Sequence, residues 1–299
     1  MAFIELQGIA KSFPTKKGTR HVLENVNLAV EEGEFVSIVG YSGSGKSTLL
    51  AIAAGLRKGD SGKVIISTQG RTVYGFPYRA SVVFQNYSLL PWFSAIENVR
   101  LAVESMFPAW PRKRQEQQST RYLEMVGLGN ALHKRPSQLS GGMRQRVAIA
   151  RAFAVEPEIL FLDEPFGALD ALTRSNLQQE LARMCSALAR PVTAILITNS
   201  VQEAILLSDR ILPMTRGPRA TLGPAVSVPL PRPRTLSLLV HDERAVHIEA
   251  KIVEFLTGFA LGAGKEPHAE QAPAVINGSQ TSASWAPINE IPSTEEAQA

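Results

Sequence analysis

Apolar positions along this chain follow two strand-like patterns and one helical pattern. Phe35 to Val39, Ile159 to Leu162 and Thr193 to Thr198 are apolar or small almost without interruption. A strand covered on both faces has no solvent side, so such runs predict parallel strands at the centre of an α/β sheet. Phe3 to Ile9, Val22 to Val30 and Lys63 to Thr68 instead alternate, or run apolar between polar turns, as strands of an antiparallel sheet do. A short strand over Ser81–Gln85 ends in an amide side chain. Helical spacing marks Ser47 to Leu56, the stretch after Pro91 in which Ile96, Val99, Leu101 and Val103 share a face, the run from Arg112, and the run after Ser140. It also marks Val201–Leu212 and an amphipathic segment, Glu243–Phe259. Between the last two, the prolines of Gly217–Arg234 suit edge strands and extended connections. Residues 260–299 hold Gly, Pro, Ser, Ala, Gln and Glu with few large apolar groups, and a disordered tail is expected there.

Composition narrows the class. With 299 residues, 44% of them hydrophobic and 19% charged, the chain can bury a full α/β core. Its one cysteine, Cys185, excludes an intramolecular disulfide framework and a cysteine metal cluster. Nothing from Met1 to Arg20 reads as a signal peptide, so a cytoplasmic chain is expected. No apolar run approaches the roughly 18 residues of a membrane helix, so any membrane association has to run through a partner. The net charge of +4 is uneven: Lys265 against Glu266, Glu270, Glu290, Glu295 and Glu296 makes residues 259–299 acidic and leaves a mildly basic body. Arg112, Lys113 and Arg114 read as a solvated helix face, and no nucleic-acid partner is expected.

GYSGSGKS, followed by Thr48, carries the most specific chemistry. It leaves a buried strand and opens a helix, which is the setting of a phosphate-binding loop. Gly40, Gly43 and Gly45 free the backbone around Tyr41, Ser42 and Ser44, so that successive N–H groups can turn toward a polyphosphate. Lys46 can reach the β and γ phosphates, and Ser47 can hold Mg²⁺. Paired acids, Asp163 and Glu164, end the apolar run at Ile159, where open α/β sheets place ligands. Asp163 can bind Mg²⁺ through water, and Glu164 can orient or deprotonate an attacking water. Ser140, Gly141 and Gly142 open another helix and offer a second place for a phosphate to meet backbone N–H groups. Phe13 either stacks on a purine or packs its own turn.

Taken in order, the phosphate loop, the amide at Gln85, LSGGM and the strand-terminal Asp-Glu closely resemble the ATP-binding subunit of ABC transporters, over roughly Ala2 to Leu239. The resemblance implies a P-loop core with a parallel sheet, an antiparallel β subdomain and a helical insert at about 88–154, the ATP-binding domain spanning 1–242 and the segment 243–259 adding a helix. It implies an ATPase, ATP and Mg²⁺ as its ligands, and head-to-tail pairing in which LSGG of one subunit closes over the γ-phosphate of the other. Phe13 resembles the adenine-stacking aromatic, Gln85 the amide that senses Mg²⁺ and the transmembrane partner, and Asp163 and Glu164 the metal and catalytic carboxylates. Met143 stands where many members carry Gln, and Gly167 to Asp170 resembles the loop linking the two sites. The implied partners are permease subunits, a second ATP-binding subunit (identical or not) and, indirectly, a solute-binding protein; the implied place is the cytoplasmic face of the membrane. NYSLLPW, HKRPSQLSGGM, GALDALTRSNLQ and MTRGPRATLGPAVSVPLPRPR look like the nitrate, bicarbonate and cyanate importers, with the sulfonate and taurine group next.

One departure concerns the chemistry directly. The family carries a histidine on the γ-phosphate after the last buried strand; here Asn199 follows Thr198. An amide can donate a hydrogen bond but cannot carry a proton or a positive charge. Asn199 therefore leaves open an alternative reading, a nucleotide-dependent clamp that hydrolyses weakly beside a competent second subunit.

Overall fold

The computed structural model describes residues 2–16, 18–68, 71–73, 79–187 and 191–262. In chain order the strands are β1 (Ile4–Thr15), β2 (Gly18–Val30), β3 (Phe35–Val39), β4 (Ser61–Thr68), β5 (Arg71–Val73), β6 (Ala80–Val83), β7 (Ile159–Asp163), β8 (Thr193–Thr198), β9 (Arg210–Pro213) and β10 (Val226–Ser227). The helices are α1 (Lys46–Ala53), α2 (Ala95–Met106), α3 (Arg112–Met125), α4 (Gly141–Phe153), α5 (Ala171–Ala187), α6 (Val201–Leu207), α7 (Leu236–His241) and α8 (Glu243–Gly262).

The strands form two sheets. One has the order β10-β9-β3-β8-β7-β6 and is parallel except for β10; the other, β2-β1-β4-β5, is antiparallel. The continuous apolar runs are explained by burial on both faces of the first sheet. Phe35, Val39, Leu160, Leu162, Ala194 and Leu196 pack into the cluster that holds α2 to α8. Their alternate neighbours Val36, Ile38, Ile159, Phe161, Ile195 and Ile197 pack against α1 and the antiparallel sheet. The expected α/β class with an antiparallel subdomain and a helical region between β6 and β7 is the architecture observed.

Three expectations are corrected. Val201–Leu212 is not one helix: α6 ends at Leu207, and Arg210–Pro213 is a strand paired in parallel with β3. The break is chemical. The buried Arg234 guanidinium donates to Ile205 O at 2.7 Å and Ser208 O at 2.6 Å, taking up carbonyls at the helix end, while Asp209 Oδ2 accepts from Phe35 N at 2.9 Å. Leu101 lies outside the buried face of α2, at 44% exposure, because Val99 and Val103 already occupy the inward positions four residues apart. The strand placed over Ser81–Gln85 stops at Val83, so Gln85 stands two residues beyond it in the following turn. α7 was not anticipated; Thr235, which caps it by accepting from Leu238 N, was the available signal. α8 spans Glu243–Gly262, so its helix continues three residues past the expected end and into the expected tail; the rest of that tail, from residue 263, lies outside the described residues.

Candidate functional site

Four neighbouring strands deliver the candidate residues to one edge of the parallel sheet. Gly40 follows β3, Asn199 follows β8, Asp163 and Glu164 end β7, and Gln85 follows β6. This is the carboxyl edge, where adjacent loops diverge and leave a crevice. A cleft of about 450 Å³ opens there, with Phe13, Gly43, Lys46, Ser47, Gln85 and Glu164 among its walls.

The loop after β3 needs glycine for two reasons at Gly45. Its φ of 108° is closed to most side chains, and an added Cβ would stand 2.8 Å from Val22 Cγ1. Gly45 thereby starts α1, whose first turn has no acidic residue to compete for its N-terminal charge. Lys46 is 3% exposed, and its ammonium donates to Gly40 O at 2.9 Å, Tyr41 O at 2.9 Å and Asn199 Oδ1 at 2.6 Å. Glu164 Oε1 stands 3.6 Å away. Burial draws the Lys46 pKa below the ordinary lysine value, and Glu164 opposes that shift.

Ser47 Oγ donates to Asp163 Oδ1 at 2.9 Å. Burial raises the Asp163 pKa, and the Ser47 hydrogen bond works against it. A hydroxyl, a carboxylate and the nearby Gln85 amide are hard oxygen donors of the kind Mg²⁺ takes with phosphate oxygens and water, so the side chains present fit that ion. Glu164 sits at φ 43°, a sparsely populated region for a non-glycine residue, with its N–H held by Ile197 O at 3.0 Å. That geometry turns the backbone at the end of β7 and keeps the Glu164 carboxylate on the cleft wall.

The end of β8 is fixed by its own small network. Thr198 Oγ1 donates to the buried Glu203 Oε2 at 2.6 Å and accepts from Ser200 N at 3.0 Å. Burial raises the Glu203 pKa. Asn199, between these anchored neighbours, is exposed.

Phe13 is half-buried, pairs in register with Arg20 across β1 and β2, and has the Arg57 guanidinium 5.2 Å and the Lys11 ammonium 5.6 Å from its ring centroid. Cations thus pack on a ring that also borders the cleft, so the stacking and packing readings of Phe13 are compatible. Arg20, also on the cleft wall, lies outside every sequence motif.

Ser140, Gly141 and Gly142 are elsewhere. Ser140 caps α4, accepting from Met143 N at 3.2 Å, and Gly142 has no room for a side chain, since an added Cβ would lie 2.6 Å from Thr173 Cγ2. These residues line a separate hollow of about 370 Å³ with Asp170 and Thr173, and share no wall with the phosphate-loop cleft. One link between the regions escaped the sequence reading: Arg151 of α4 donates to Tyr87 O at 2.9 Å and Ser88 O at 2.7 Å, just beyond Gln85. Both acceptor residues have positive φ, 64° and 48°, so the clamp holds an unfavourable turn.

The Asp163 environment predicts a trade between stability and ligand binding. A carboxyl whose folded pKa is raised binds its proton more tightly folded than unfolded, so its contribution to stability is lost as pH rises from the unfolded toward the folded pKa. At neutral pH, Asp163→Asn is therefore expected to raise Tm of the nucleotide-free protein slightly, by about 2–4 °C at most. The same substitution is expected to remove any Mg²⁺ dependence of nucleotide affinity. Thermal scans and nucleotide titrations with and without Mg²⁺ measure both effects.

Comparison with known proteins agrees with this geometry. The ABC transporter family model matches residues 23–167. The chain is 47% identical over 254 residues to the nitrate import ATP-binding protein NrtD of Synechococcus elongatus, covering 85% of this chain and 91% of that one. It is 46% identical to the nitrate transport protein NasD of Klebsiella oxytoca, over 85% and 95% of the two chains. Identity to the bicarbonate transport ATP-binding protein CmpD of Synechocystis is 43%, over 85% and 89%. Among solved structures, an ATP-binding cassette in a dimeric post-hydrolysis state with ADP and Pi superposes with a TM-score of 0.67 at 30% identity, over 75% of this chain and 98% of that one.

Proposed function

The chain belongs to the ABC transporter family as an ATP-binding subunit, and from that premise we propose that it hydrolyses ATP to energise the import of a small anion, nitrate or a close relative. The observation that carries the ATPase part is the meeting of Lys46, Ser47, Asp163, Glu164 and Gln85 at one sheet edge. The anion is drawn from the two nitrate relatives, each matched over nine-tenths or more of its length.

In this reading the loop N–H groups and Lys46 neutralise the polyphosphate, and electrostatic positioning supplies most of the rate. Glu164 orients the attacking water and accepts its proton. Ser47 and Asp163, with Gln85 nearby, would hold Mg²⁺, which would supply neutralisation of developing phosphate charge. Phe13 offers its ring to adenine. Ser140 to Gly142 share no wall with the cleft in one chain; in the head-to-tail pairing that the family resemblance implies, they complete the cleft of a second subunit. Among the described residues no helix is long and apolar enough to cross a membrane. By its likeness to import ATP-binding subunits the chain works at the cytoplasmic face, held by a permease that meets the insert near Tyr87 to Phe93, where Trp92 is 62% exposed. A solute-binding protein takes part only through that permease.

The weakly hydrolysing clamp remains a second reading, favoured by Asn199 at the end of β8, whose amide cannot carry a proton or a positive charge. Deletion of the gene from its host, followed by uptake of labelled nitrate, bicarbonate and taurine, tests the proposal. Loss of nitrate uptake, restored by the parent but not by Glu164→Gln, is expected; unchanged uptake of all three contradicts it.

A further inference from the structure

An ammonium has three N–H donors and no acceptor. Gly40 O, Tyr41 O and Asn199 Oδ1 stand within hydrogen-bond distance of the Lys46 ammonium, the contact to Asn199 being the shortest, and Glu164 Oε1 lies farther off at 3.6 Å. Two of these acceptors belong to the loop that carries Lys46. The third is a side chain brought from 153 positions along the chain by the end of β8. The orientation of the amide follows from the chemistry, since Nζ can only donate and therefore requires the carbonyl oxygen of Asn199 to face it. A phosphate oxygen that pairs with Lys46 has to displace one of the three oxygens. Displacing Gly40 O or Tyr41 O means leaving a backbone carbonyl of the loop without its donor. Asn199 is exposed, so its oxygen exchanges Lys46 for water at the least cost.

We propose that Asn199 is a positioning residue that latches Lys46 in the nucleotide-free protein, its Oδ1 holding the place that a phosphate oxygen takes on binding. The proposal rests on the ATP-site reading above and adds a competition within that site. The latch lowers nucleotide affinity and keeps the buried ammonium aimed at the cleft. The anchoring of Thr198 by Glu203 and Ser200 makes the latch rigid enough to compete.

Affinity for a non-hydrolysable ATP analogue, and steady-state turnover of ATP, measured for the parent, Asn199→Ala and Asn199→Asp test this. Removing the acceptor is expected to tighten analogue binding about three- to tenfold, the worth of roughly one hydrogen bond. KM for ATP should fall with it while kcat does not rise. The carboxylate of Asn199→Asp, a stronger acceptor for Lys46, is expected to weaken binding. Unchanged or weaker binding in Asn199→Ala overturns the latch, as does unchanged binding in Asn199→Asp. Asn199→Gly replaces the alanine variant if that protein does not fold, with the same expectation. A parent that binds no nucleotide overturns the ATP-site reading itself, which separates the two failures.

Discussion

Glu164→Gln is expected to reduce ATP turnover by about 10²- to 10⁴-fold while leaving nucleotide affinity within a few-fold of the parent, as measured by phosphate release and by titration with the analogue. The glutamine keeps the shape of the side chain and can still accept a hydrogen bond, but it cannot take a proton from water. The strained backbone at Glu164, fixed by Ile197 O, holds either side chain in the same place, so the loss falls on chemistry rather than on the fold. Replacing the charge also removes the carboxylate 3.6 Å from Lys46, which is why affinity is expected to shift slightly rather than stay identical. Equal loss of affinity and turnover would place Glu164 in binding and not in the hydrolytic step.

The second large effect is expected at Lys46. Lys46→Ala should weaken ATP binding by about 10²-fold or more, since a charge-assisted hydrogen bond contributes about 1.5–3 kcal/mol and more than one phosphate contact is lost. The substitution also leaves Asp163 and Glu164 facing the polyphosphate without the cation between them. The fold should survive, because burial already disfavours the charged form of Lys46. Titration with the analogue, beside a thermal scan, separates lost affinity from lost structure; retained affinity would contradict the role assigned to Lys46.

Much of this site was readable from residue order. Each chemistry-bearing group lies at or just past the end of a strand whose apolar run is visible in the sequence, and parallel strands ending on one edge bring Gly40, Gln85, Asp163 and Asn199 together. Local chemistry was harder to see. The end of α6 depends on Arg234, 29 positions from the Ile205 carbonyl it meets, and no local pattern around Leu207 announces it. Leu101 was misplaced because an apolar residue two positions from Val99 and Val103 looks inward in a list but outward on a helix. Arg151 reaches other elements through a long side chain and Arg20 lies on the cleft wall, so the roles of both depend on three-dimensional placement. Asn199 was conspicuous as a substitution for histidine, yet only the structure shows that its oxygen faces Lys46.

The central claim is that this edge of the sheet hydrolyses ATP through Glu164. Phosphate release from Mg²⁺·ATP by the purified parent and Glu164→Gln, compared at matched protein concentrations, tests it most directly. The account predicts turnover by the parent that collapses in Glu164→Gln. Equal phosphate release by the two proteins would contradict it.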